Sequence, residues 1–177
     1  MSRIVVRPVT AATYPDFVRL FEARGSPHYC WCTPYRFRDS STLDSSGKKR
    51  RMHELVAERT PIGVLAYDGD EPIGWCSVAP RESYAKLERS KTMPRATPEG
   101  TPTWVILCFF VVRPQRGNGV TARLLKGAVA YAKAKGARVV EGYPYDSAQV
   151  SATHRGHSKL FRSARFKRSG RRWARAL

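Results

Sequence analysis

Apolar positions change period often along this chain, and each change marks an element. The opening "RIVVRPVT" (3–10) predicts a short strand, and "TYPDFVRLFEARG" (13–25) places Phe17, Leu20 and Phe21 at helical spacing between an entry at Thr13 and a stop at Gly25. The aromatic, proline-rich "SPHYCWCTPYRFRDSS" (26–41) reads as an ordered loop, and "SGKKRRMHELVAERT" (46–60) as a second helix with a basic first turn. Two apolar runs joined by Asp68, Gly69 and Asp70 in "IGVLAYDGDEPIGWCSVAP" (62–80) predict an antiparallel hairpin. Residues 81–102 lack a stable period and read as an exposed connection. The run from Thr103 to Val112 predicts a central strand buried on both faces. After a bend with two glycines comes an amphipathic helix (120–137) with Leu124, Leu125, Ala128 and Val129 inward and Gly136 as its stop. A strand "RVVEGYP", a helix "HRGHSKLFRSA" and a strand pair in "RFKRSGRRWARAL" complete the chain.

This order predicts an α+β fold with a mixed, mostly antiparallel central sheet flanked by helices. A length of 177 residues with 42% hydrophobic content fits a single domain over 1–177. No apolar run reaches the ~20 residues of a membrane span, and the first residues do not read as a signal peptide, so no membrane partner and a cytoplasmic location are expected.

Charge changes the picture. Residues 1–99 hold 16 Lys/Arg against 12 Asp/Glu, whereas residues 100–177 hold 16 against 2, a net of +14. A solvated face normally mixes both signs, so a polyanionic partner or substrate is expected for the second half. "KKRR" (Lys48, Lys49, Arg50, Arg51) and the C-terminal Arg168, Arg171 and Arg172, interleaved with aromatics, fit an electrostatic footprint for RNA or DNA. Basic charge in a helix's first turn opposes the dipole, which also points to a partner for "KKRR".

The four cysteines (30, 32, 76, 108) do not form a secreted disulfide framework and read as reduced thiols, with Cys108 buried and inert on the central strand. Cys30 and Cys32 with His28 lack a matching second knuckle, so no metal site is expected.

The stretch "CFFVVRPQRGNGVTARLL" (108–125) carries the chemistry: a strand, a glycine turn and a helix start, the arrangement that binds phosphate through free N–H groups and the positive end of the helix. Glycine admits the close approach of phosphate oxygens that a Cβ would block. Two glycines alone also occur in strand-to-helix turns for backbone reasons. Here "RGNGVT" resembles the pyrophosphate loop Q/R-x-x-G-x-G/A of the GNAT (Gcn5-related N-acetyltransferase) superfamily, the pattern falling on Arg116, Gly119 and Thr121. The opening strand, the hairpin "VLAYDGDEPIGWCSV" and the late "LFRSARF", similar to the family's L-Y-x-x-x-G-F, occur in the expected order. "CWCTPYR", "PRESYAKLERS" and "CFFV" resemble one bacterial branch. Thr121 stands where the family has Gly or Ala, and the bend between Pro114 and Arg116 is one residue shorter than usual. Phe161 aligns with the family's general-acid tyrosine, and Arg165 with the glycine of G-F.

The resemblance implies a GNAT fold and attack of an amine on the thioester of acetyl-CoA or another acyl-CoA, with a base taking the ammonium proton. It implies cofactor contacts from Phe110, Val111, Val112, Arg113, Arg116, Gly117, Asn118, Gly119, Val120 and Thr121. Since Phe161 has no proton to give, the catalytic candidates are Glu141 as base, His154 beside His157 at the start of the last helix, and Tyr143 beside Tyr145. Each has a plainer reading: Glu141 as an arginine's ion partner, the histidines as helix caps or surface groups, the tyrosines as cleft lining. Trp31, Tyr35, Arg36 and Trp75 are candidate substrate contacts, with core packing as their alternative. Three functions stay open: an N-acyltransferase acting on an amine of a small molecule or peptide, a tRNA-dependent acyltransferase that uses or modifies an acyl- or aminoacyl-tRNA, and a non-catalytic RNA-binding homologue.

Overall fold

A computed structural model describes residues 4–95, 97–146 and 154–177. Its strands are β1 (Val5–Pro8), β2 (Gly63–Asp68), β3 (Glu71–Pro80), β4 (Thr103–Val111), β5 (Val139–Gly142), β6 (Lys167–Ser169) and β7 (Arg172–Ala176). Its helices are α1 (Tyr14–Glu22), α2 (Ser45–Ala57), α3 (Val120–Ala134) and α4 (Ser158–Ser163). The strands form a seven-stranded sheet in the order β1-β2-β3-β4-β5-β7-β6. Only β4 and β5 pair in parallel among the described strands, and α3 is the crossover between them.

The continuous apolar run of β4 follows from burial on both faces. Trp104 and Ile106 join a core with Leu124, Leu125, Ala128 and Val129 of α3, while Val105 and Leu107 pack with Ala79, Tyr84, Leu87 and Tyr143. A further core under α1 and α2 holds Phe17, Leu20, Phe21, Trp31, Met52 and Trp75. Phe17 packs between α1 and the sheet, its ring tilted by 56° and 4.8 Å from that of Trp75. Between β3 and β4 the register slips, because Ser77 pairs with Cys108 but Val78 with Ile106, leaving Leu107 as a bulge.

The N-cap of α2 is Asp44, whose carboxylate accepts from Gly47 N–H at 2.7 Å. This negative charge offsets the basic turn that follows, so the dipole argument for a partner at "KKRR" falls away. Among the described residues no helix is long and apolar enough to cross a membrane.

Candidate active site

The β4–β5 pairing ends at Ile106 opposite Gly142, while β4 continues to Val111 against β3. The two strands part there, and the β5-facing backbone edge of residues 107–111 has no strand partner among the described residues. Phe161 packs against the last paired residue of β5. Its ring, wholly buried on α4, fills the space that a side chain at Gly142 would need. Phe161 therefore serves the core, 6.3 Å from the Phe109 ring, and takes no part in proton transfer.

A cleft of about 720 Å³ opens at this point. One side is made by Phe110, Val111, Arg116 and Thr121, the other by the loop residues Tyr29, Cys30 and Tyr35, with His154 also on its wall. On the first side β4 leads into the glycine turn. Gly117 (φ 83°) and Gly119 (φ 74°) both take left-handed conformations, and space is open where a Cβ would project. Gly119 is the N-cap of α3 and supplies no side-chain acceptor, so the first-turn N–H groups stay available. Arg116 Nε donates to Val111 O at 3.0 Å and ties the turn to the strand end. Arg113, Asn118 and Arg123 are exposed around it, while Val112 and Val120 anchor its ends in the core. An uncapped helix end behind two open glycines is a cradle that fits a pyrophosphate. The ten residues expected to hold a cofactor thus form one continuous wall and turn.

The catalytic candidates separate. Glu141 is wholly buried and accepts from Arg81 Nη1 at 2.8 Å and from the Tyr143 hydroxyl at 3.1 Å. Arg81 also donates to Met93 O at 2.7 Å and to Tyr143, which sits 2% exposed. Burial, then the Glu141 charge, pushes the Tyr143 hydroxyl up to about 12. Neither Glu141 nor Tyr143 faces the cleft; they fasten residues 81–93 to β5, and the ion-partner reading of Glu141 replaces that of a base. His154 does line the cleft, its ring edge-on to Tyr145 at 6.0 Å. Partial burial and the neighbouring Arg155 cation lower its pKa, which favours the neutral imidazole a base requires. His157 accepts from Lys159 N–H at 3.1 Å and is the cap of α4.

The substrate candidates separate too. Tyr35 lines the cleft, half-buried and held neutral by burial. Trp31 and Trp75 are 1% and 0% exposed and belong to the core under α1; the rings the loop contributes to the cleft are Tyr29 and Tyr35. Arg36 is buried beneath the cleft and donates through Nη2 to Ile62 O (2.6 Å), Ser77 Oγ (3.1 Å) and Tyr84 Oη (3.2 Å). Cys108, expected to be buried and inert, instead lines the cleft with Cys30 and Cys32. The sequence signal for two of these thiols is the C-W-C spacing, which reads there as a branch resemblance and as an incomplete metal motif.

Most of the basic residues singled out above are engaged. Lys49 pairs with Glu22, Arg51 with Asp39 and Glu54, and Arg168 with Asp146. Lys48 donates to Tyr29 O and Arg172 to Arg95 O, while Arg50 and Arg171 are exposed. The α2 set lies beside α1 and the C-terminal set on β6 and β7 at the sheet's far edge, so they do not form one track.

A profile of the acetyltransferase (GNAT) family matches residues 18–152. The chain belongs to that family. Its GNAT fold is shared with solved structures of low sequence identity. An N-acetyltransferase from Staphylococcus aureus Mu50 matches at 14% identity and a TM-score of 0.58, covering 99% of each chain. A GNAT acetyltransferase from Brucella melitensis in complex with acetyl-CoA matches at 13% identity and 0.53, covering 100% of this chain and 90% of that one. A ribosomal-protein-alanine N-acetyltransferase from Brucella melitensis matches at 14% and 0.58, covering 98% and 99%. No curated protein matches the chain significantly. As a GNAT protein it is an acyltransferase.

Proposed function

We propose that the protein transfers an acyl group, acetyl in the simplest case, from acyl-CoA to the amine of a small molecule or peptide in the cleft between β4 and β5. The observation that carries this reading is the parting of those strands directly ahead of an uncapped glycine turn. Acyl-CoA supplies the acyl group as an activated thioester. The N–H groups of residues 117–121 would hold its pyrophosphate, with Arg113, Arg116 and Arg123 adding charge-assisted contacts. The unpaired backbone edge of residues 107–111 is placed to orient the pantetheine arm and to oppose charge on a carbonyl oxygen. His154 takes the ammonium proton, and Tyr29 and Tyr35 shape the acceptor side.

Calorimetric titration with acetyl-CoA tests the donor. Gly119→Val is expected to weaken binding more than tenfold. Gly136→Val imposes a similar left-handed strain beyond the other end of α3 and should leave affinity unchanged. Equal affinity in Gly119→Val and wild type would overturn the assignment. The acidic limb of kcat/KM should lie below pH 6.5, because the His154 pKa is lowered from that value, and His154→Gln should abolish the limb.

The +14 charge of residues 100–177 supports a second reading, in which an acyl- or aminoacyl-tRNA is donor or acceptor, with a non-catalytic RNA-binding homologue as its limit. Salt-sensitive tRNA binding together with no heat of acetyl-CoA binding would move the assignment there.

A further inference from the structure

The floor of the cleft holds chemistry that acyl transfer does not use. Trp31 and Cys32 are consecutive non-glycine residues with positive φ, 47° and 56°. Such strain persists only where the surroundings over-determine it. Here it turns Trp31 into the core and the Cys32 sulfur to the cleft floor, where Cys32 remains 7% exposed.

Polar groups converge on that sulfur. The Trp75 indole N–H donates to Cys32 Sγ at 3.1 Å. Cys108, which shares the cleft wall with it, draws the Cys32 pKa down against burial together with this indole and the Arg36 cation. The reciprocal effect, with burial, keeps Cys108 a protonated thiol. Cys30, two residues away, is pushed up to about 12 by burial and the Cys32 charge. Cys76 is likewise raised, chiefly by burial.

Arg36 makes the same point from the other side. It is 3% exposed, its Nε and Nη1 have no hydrogen-bond partner among the described residues, and no carboxylate pairs with it. Its neighbour Tyr84 is pushed up to about 12, largely by burial, and stays neutral. A buried guanidinium needs an anion. Cys32 is the acid beside it that can supply one.

We propose that Cys32 is a second reactive centre: a cysteine on the cleft floor, held by the Trp75 indole N–H beside the incompletely partnered Arg36, that as its thiolate reduces small hydroperoxides and then closes a disulfide with Cys108. The Cys32 sulfur attacks the peroxide oxygen, an S–O bond forms and the O–O bond breaks. The leaving alkoxide or hydroxide takes a proton from solvent. The Cys108 sulfur then displaces the sulfenic hydroxyl, which leaves as water with the Cys108 proton. Two thiols lose two electrons to the peroxide. The bond would tie the loop after α1 to β4 across the floor of the cleft.

The reduced full-length protein, freed of reductant and treated with hydrogen peroxide, tests this by intact mass and peptide mapping. A loss of 2 Da is expected from the two thiol hydrogens, with a Cys32–Cys108 cross-link that dithiothreitol reverses. Cys30→Ala should behave identically. Cys108→Ala should form no internal bond and instead give a dimedone adduct on Cys32, and Arg36→Met should slow that adduct at least tenfold. Persistence of all four alkylatable thiols, a bridge to Cys30, or an adduct on another cysteine would each overturn the proposal. None of these readouts requires acyl transfer, so they stand apart from the test of donor binding.

Discussion

Two buried arginines flank the cleft, and they are satisfied in opposite ways. Arg81 has a carboxylate at 2.8 Å, a tyrosine hydroxyl and two backbone carbonyls. Arg36 has one carbonyl and two hydroxyls, all on Nη2, and its Nε and Nη1 have no acceptor among the described residues. The first is closed: two contacts hold residues 81–93 together, two fasten them to Glu141 and Tyr143 at β5, and its charge is cancelled on the spot. The second is held in place but electrically open, and one acid that feels its charge is Cys32. Burial alone does not tell a structural arginine from a functional one; the completeness of its partners does.

The largest way to break this contrast is Glu141→Ala. It strands the Arg81 charge and should cost about 3–5 kcal/mol in urea unfolding; a loss below about 1 kcal/mol would show that Arg81 does not depend on that carboxylate. Arg36→Met leaves no buried carboxylate behind, only acceptors that lose a donor, so a smaller cost of about 1–3 kcal/mol is expected. If Arg36→Met proves as damaging as Glu141→Ala, the two sites are equivalent. Smallest is the double replacement Arg81→Met with Glu141→Leu, which removes both charges of a closed pair and should lie within about 1 kcal/mol of wild type if packing is kept. In a parallel cycle, Cys32→Ala should destabilise wild type more than it destabilises Arg36→Met, because only the former strands a cation.

Much of the fold was legible because it rests on local patterns. The order of elements follows from periodicity, and the turn at 116–121 from glycines between a strand and a helix. The site's side chains were harder, for identifiable reasons. Glu141 and Tyr143 are claimed by Arg81, sixty residues distant in the chain, and nothing near β5 announces it. Trp31 and Trp75 carry the same apolar signal whether they cover a cleft or fill a core, and α1 with its Phe17 and Phe21 decides for the core. Arg165, where the family has glycine, sits at φ 64°, so its place in the sequence marked a backbone conformation more than a charge. The strain at Cys32 leaves no trace in composition at all.

The bulge at Leu107 acts as a parity switch. Before it, even-numbered residues of β4, Trp104 and Ile106, face α3; after it, odd-numbered Phe109 and Val111 do, and Cys108 and Phe110 turn to the other face. The bulge absorbs one extra residue, so Cys108 and Phe110 keep the sheet face of Val105 and Leu107 while Phe109 and Val111 keep the face of α3. Deleting Leu107 would remove the bulge and restore plain alternation, leaving Cys108 and Phe110 on the cleft face and Phe109 and Val111 against α3, whereas straightening the strand with Leu107 retained would exchange the two faces.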